Sequence, residues 1–222
     1  MRGPERATSL PAGDTFLLEM DETPREKLID VGLGLFVQQG FSVTTLAQIC
    51  EAARVAPHVT AGLLEMTSDI IVVWVHAAIL DDVANALPEL TQDDNLVEAL
   101  LVASINVIDG IIGGSGVVTR DRLAALAHVL NAEPELQALS SAYRKQTLAP
   151  VLARKLGVTA DPRRVRRVVT TWSAVVAGAH NPHPGLRLRV DPSRDCRVPE
   201  LMSRCLSESY RRITGQLPPP LV

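Results

Sequence analysis

From Thr23 onward the apolar positions of this chain recur at helical spacing, and almost none alternate as a strand would. Thr23-Pro24-Arg25-Glu26 places a capping hydroxyl, a proline at the first helical position and a Glu three residues on, a combination that satisfies the free backbone donors of a helix start. Leu28, Ile29, Leu33, Leu35 and Phe36 follow, and Gln39-Gly40 ends the run. Thr45-Leu46-Ala47-Gln48 repeats the capping logic and opens a short helix with Leu46, Ile49, Cys50 and Ala53 on its apolar side. After Val55-Ala56-Pro57 a third short helix is predicted to about Leu64. Ser68-Asp69 then caps a long apolar helix ending near Pro88.

The remainder predicts further helices, one of them from about Thr91 to Gly113. Breaks fall at Gly113-Gly114-Ser115-Gly116, at Glu133-Pro134, at Gly157 to Pro162 and across Asn181 to Pro199. Asn181-Pro182-His183-Pro184-Gly185 cannot continue a helix, so the last helix runs from near Pro199 to about Ile213. Val and Ile are common, but they sit among Ala and Leu in runs of helical length, and the predicted fold class is all-α. Residues 1–20 show little periodicity and are expected to form a flexible arm.

At 222 residues and 46% apolar, the chain can bury one large core, or a small domain and a larger one. The longest apolar stretches, Ile70 to Leu80 and Leu100 to Ile112, are too short to span a bilayer. No basic segment followed by an apolar block and a cleavage site opens the sequence, so a soluble, cytoplasmic protein is expected. Cys50, Cys196 and Cys205 are odd in number and lack CxxC spacing, which argues for packing rather than disulfides or zinc. Charge is distributed unevenly: no Lys or Arg occurs between Arg54 and Arg120, a span holding nine carboxylates, whereas 17 of the 22 basic residues lie from Arg120 onward. A surface that neutralises phosphates needs clustered cations, so this asymmetry bears directly on any nucleic-acid role.

Three short helices followed by a long one, with a tight turn between the second and third, is the helix-turn-helix layout. Leu35-Phe36-Val37-Gln38-Gln39-Gly40-Phe41-Ser42-Val43-Thr44-Thr45-Leu46 followed by Ile49-Cys50-Glu51-Ala52-Ala53-Arg54-Val55-Ala56-Pro57 resembles, without a gap, the amino-terminal domain of the TetR family of transcriptional regulators. The resemblance covers Thr23 to Trp74, with a weaker echo near Trp172 to Gly178. It implies an arm (1–20), a DNA-reading head (21–68) and a ligand-binding and dimerisation domain (69–222), with DNA contacts from Thr44, Thr45, Arg54, His58, Val59, Thr60 and Thr67. The chain departs from the family pattern at Arg54, where the turn usually has glycine, and at Ala56, His58, Ala61 and Leu63, where serine, glycine, tyrosine and another aromatic are usual. Thr67 stands where a phosphate-binding lysine is common. Between Val55 and Ile70 there is no Arg, Lys, Asn or Gln to read a base edge. Thr44 and Thr45 also have a purely capping role open to them.

The resemblance further implies a homodimer with a small-molecule pocket in the larger domain. Trp74, His76, Asn106, Asp109, His128 and Trp172 are the candidate ligand-binding residues, since an apolar pocket with a few polar groups is the usual form of such a site. Ala103, Asn106, Asp109, Gly110 and Gly113 lie on one side of their helix, and close helix packing explains that pattern as well. Dimerisation is expected through the helices near 162–181 and 199–213, because the apolar side of Val168, Val169, Trp172, Val175 and Val176 needs a partner.

Arg163, Arg164, Arg166 and Arg167 read first as a solvated helix face, with an anionic ligand or an acidic partner surface as the sharper alternative. Prolines and loose spacing argue against His180, His183 and Cys196 as metal ligands, and no cofactor is expected. An enzyme is not expected either, for there is no Gly-rich phosphate loop after a strand, no nucleophile elbow and no HExxH helix. The expected function is a ligand-responsive regulator acting on operator DNA. The alternative is a TetR-like sensing or partner-binding dimer that no longer reads DNA.

Overall fold

The structure, a computed structural model, describes residues 22–55, 68–91, 93–157, 161–180 and 198–219. Among the described residues it is all-helical: α1 (Glu22–Gln39), α2 (Leu46–Ala53), α3 (Ile70–Ala86), α4 (Leu96–Ile112), α5 (Arg120–Ala132), α6 (Pro134–Leu156), α7 (Pro162–His180) and α8 (Val198–Thr214). Most boundaries follow the punctuation of the sequence. Gly40 at φ +95° ends α1, Pro134 occupies the first turn of α6, and Gly157 at φ +64° ends α6. α1 begins at Glu22, ahead of the predicted cap at Thr23. α4 begins later than expected because Asp94 folds back on Thr91, its Oδ2 accepting from the Thr91 amide (2.6 Å) and hydroxyl (2.9 Å), which leaves Asn95 to cap the helix.

The first helices are fixed by short polar contacts. Thr45 accepts from the Gln48 amide while the Gln48 side chain accepts from the Thr45 amide, a reciprocal capping box. Thr44 is buried, donating to the Gly40 carbonyl at 2.6 Å and accepting from Gln39 Nε2 at 3.0 Å. Arg54 closes α2 in the left-handed region, φ 51° and ψ 39°, where glycine is the unstrained choice. The predicted third helix, with His58, Val59 and Thr60, lies outside the described residues, as does Thr67.

α3 is apolar on nearly every side and is buried accordingly. One continuous core runs from Leu28 in α1 through α3 to Tyr210 in α8. On the α1 side of α3, Ile71 packs close to Gly32, where an added Cβ would sit 3.1 Å from its side chain. α7 packs on both α6 and α8. This corrects one expectation: Val169, Trp172 and Val175 are buried within the chain, so the apolar side of α7 is already covered and does not wait for a second copy. Arg163, Arg166 and Arg167 are exposed on α7, and Arg164 Nη2 donates to the Asp94 carbonyl at 2.9 Å. No helix among the described residues is long and apolar enough to cross a membrane.

Candidate functional site

Two residues apart on a helix means roughly opposite faces, since each step turns about 100°. Trp74 and His76 of α3 are separated in this way. Trp74 turns towards α1, 2% exposed, with the Arg25 guanidinium 5.2 Å from its ring centroid. His76 turns the other way, and with Ile79, Leu80 and Val83 forms one wall of a cavity of about 120 Å³. A single water needs about 10–15 Å³ of such space, so the cavity has room on the order of ten water-sized volumes.

α5 supplies a second wall through Leu123, Leu126, Ala127 and Leu130, again at positions i, i+3, i+4 and i+7, with Asn131 at the end. Trp172, Val176 and His180 come from α7, Ser104 and Ile108 from α4, and Met202, Cys205 and Leu206 from α8. The lining is mainly aliphatic and, among the described residues, contains no Asp or Glu.

α6 contributes the main charge. Leu136, Ser140, Arg144, Leu148 and Leu152 follow at intervals of four along its buried side, so two polar residues sit within an apolar stripe. Arg144 lines the cavity and is 5% exposed. Its Nη2 donates to Ser140 Oγ at 3.2 Å, and Ser140 Oγ lies 2.7 Å from His76 Nδ1. Arginine only donates, so the arrangement that gives the Ser140 proton a partner has the hydroxyl donating to Nδ1 and the His76 proton on Nε2. The Tyr143 and His76 rings meet in a T-shaped arrangement, with centroids 6.0 Å apart.

Burial holds these groups away from charge. Desolvation, helped by the positive charges of Arg144 and His180, lowers the His76 pKa to about 3. His180 is half-buried as a residue but lines the cavity; desolvation and then Arg144 lower it to about 4. Burial alone lowers Arg144 to about 10. Both imidazoles are therefore neutral at pH 7 and the guanidinium is charged.

The candidate residues divide accordingly. His76 and Trp172 line the cavity, whereas Trp74, Asn106, Asp109 and His128 do not. Trp74 is core beneath α1. Asn106 and Asp109 face outward on α4, opposite Ser104 and Ile108, and Asp109 accepts from Ser203 of α8 at 3.3 Å. His128, half-buried, lies off the stripe by which α5 meets the cavity. Of the expected DNA contacts, Thr44 is held internally, Thr45 caps α2, and Arg54 is exposed at its end.

Arg144, Ser140 and Asn131 went unnoticed in the sequence, although polar residues inside the stripe Leu136-Ser140-Arg144-Leu148 were a legible signal. Among the described residues no group of three His, Cys, Asp or Glu is placed to hold a metal ion.

The chain matches no protein-family model and no curated protein.

Proposed function

We propose that this chain is a ligand-responsive transcriptional regulator of TetR-like architecture, working in the cytoplasm as a homodimer on operator DNA, with the cavity as its effector site. One observation carries the reading: α5 touches both parts. Leu123, Leu126, Ala127 and Leu130 face the cavity, while Arg122 of the same helix grips Asp30 and approaches Glu26 of α1. A ligand that displaces α5 acts on α1, and α1 carries α2 by direct packing. Such coupling needs only that the ligand bind one arrangement of α5 better than the other.

The outward side of α7 carries Thr170, Ala174 and Ala177, small enough for a second copy's helix to approach closely. That side, rather than the buried valine face, is our candidate for the dimer contact. Retardation in a gel of the DNA upstream of the protein's own gene, but not of unrelated DNA of equal length, tests the reading.

A second reading, a TetR-like sensing dimer that does not read DNA, is favoured by the charge pattern. Arg25 stacks on Trp74, and no Lys or Arg follows Arg54 until Arg120. Failure to retard that DNA even at low salt would select this alternative.

A further inference from the structure

We propose that the cavity binds a small monocarboxylate with an apolar body, its carboxylate held by Arg144 and its body by the aliphatic walls. The inference deepens the effector-site reading and rests on it for biological meaning, though not for the binding itself.

An isolated cation in an apolar interior is costly, and buried charges are as a rule paired. Arg144 is 5% exposed, yet among the described residues no carboxylate lies within ion-pair distance of it, and its protein partner is the neutral Ser140 hydroxyl. A guanidinium presents five donors in a planar fork that matches a carboxylate in two-point contact. Ser140 uses one of these donors.

The surroundings select the rest of the ligand. His76 Nε2–H and the half-buried His180 are neutral donors or acceptors, and neither neutralises the guanidinium. Asn131, on the cavity lining, has a buried side-chain oxygen without a hydrogen-bond partner. That oxygen accepts only, so it cannot pair with a carboxylate, and Arg144 alone supplies the charge that selects the anion. Leu80, Leu126 and Leu130 meanwhile offer only hydrophobic surface, which disfavours a fully hydrated anion such as phosphate. With space on the order of ten water-sized volumes, benzoate and hexanoate are of suitable size.

The test uses the full chain, and compares benzoate and hexanoate with the neutral benzyl alcohol and hexanol and with inorganic phosphate, by calorimetric titration and thermal melting. The carboxylates are expected to bind and raise Tm with concentration, at least about tenfold more tightly than the alcohols, with no response to phosphate. Arg144→Met, which keeps bulk and removes charge, is expected to lose about tenfold to a hundredfold in carboxylate affinity while binding the alcohols as before. Should that variant not fold, Arg144→Gln carries the same comparison.

Equal affinity for acid and alcohol, unchanged carboxylate affinity in the neutral variant, or no response to either carboxylate would each overturn the proposal. Carboxylate binding by a protein that never retards DNA would keep this inference and remove the regulator reading. DNA retardation with no carboxylate binding would do the opposite.

Discussion

Arg122 of α5 holds both carboxylate oxygens of Asp30 in α1, with Nε to Oδ1 at 2.6 Å and Nη2 to Oδ2 at 2.9 Å. Glu26 lies one turn earlier, 3.8 Å from Nη1. A two-point contact of this kind fixes orientation as well as distance. The Arg122 side chain is only 13% exposed, whereas that of Asp30 is 59% exposed, so solvent screens much of the attraction.

Replacing Arg122 with Met is expected to cost about 1 kcal/mol or less in chemical denaturation. Its larger effect falls on α1, where native-state hydrogen exchange at Leu28 to Phe36 should quicken while exchange in α6 and α7 does not change. Uniform quickening throughout would mean that the pair supports the whole fold and does not specifically tie α1 to α5.

Arg54 stands at φ 51°, where a side chain costs about 1–2 kcal/mol relative to its ordinary conformations. Arg54→Gly removes that strain but adds unfolded-chain entropy, and a net gain of about 0.5–1 kcal/mol in thermal melting is expected. A loss of stability would show that the arginine side chain makes a compensating contact.

Much of this architecture was legible because helix ends are written in local chemistry. Thr45 and Gln48 form the box their spacing predicts, and Gly40, Pro134, Gly157 and Pro162 all mark ends or starts. The cavity was not legible in the same way. Residue type points to His76 and Trp172 but equally to Trp74 and His128, because type does not say which face of a helix turns inward. Asn106 and Asp109 are exposed although Ala103, on the same side of the helix by spacing, is buried in the core. Arg144 sits in Tyr143-Arg144-Lys145-Gln146, which reads as solvated until Leu136, Ser140 and Leu148 are aligned with it.

Acid should weaken the fold at neutral histidines. His76 and His180 titrate near 3 and near 4 when folded, against about 6.5 unfolded, so between these limits the unfolded chain binds more protons. Stability is therefore complete above about pH 6.5 and falls as pH drops towards 3. Arg144 of α6 faces both rings and opposes their protonation, and Cys205 of α8 stays a neutral thiol throughout. In urea titrations, His76→Gln should flatten the dependence below pH 6; an unchanged slope would assign it to other groups.

Filling the cavity should separate stability from binding. Ala127, 2% exposed on the α5 wall, gains apolar bulk as Leu, and a stabilisation of about 0.5–2 kcal/mol is expected together with weaker benzoate binding. Destabilisation with unchanged binding would show that the space beside Ala127 is not available to a ligand.

Fluorescence anisotropy on a labelled duplex from upstream of the protein's own gene, over a range of salt and against a scrambled duplex, tests the regulator reading most directly. Lys27 and Arg54 on each of two heads, at about −0.9 per neutralised phosphate, give a slope of log affinity against log salt no steeper than about −4. Thr67→Lys should tighten binding to both duplexes and steepen the slope by about one per half-site. Saturable binding at low salt is expected, with at least about tenfold preference for the upstream duplex and this shallow slope. Equal affinity for the two duplexes at every salt concentration would contradict it.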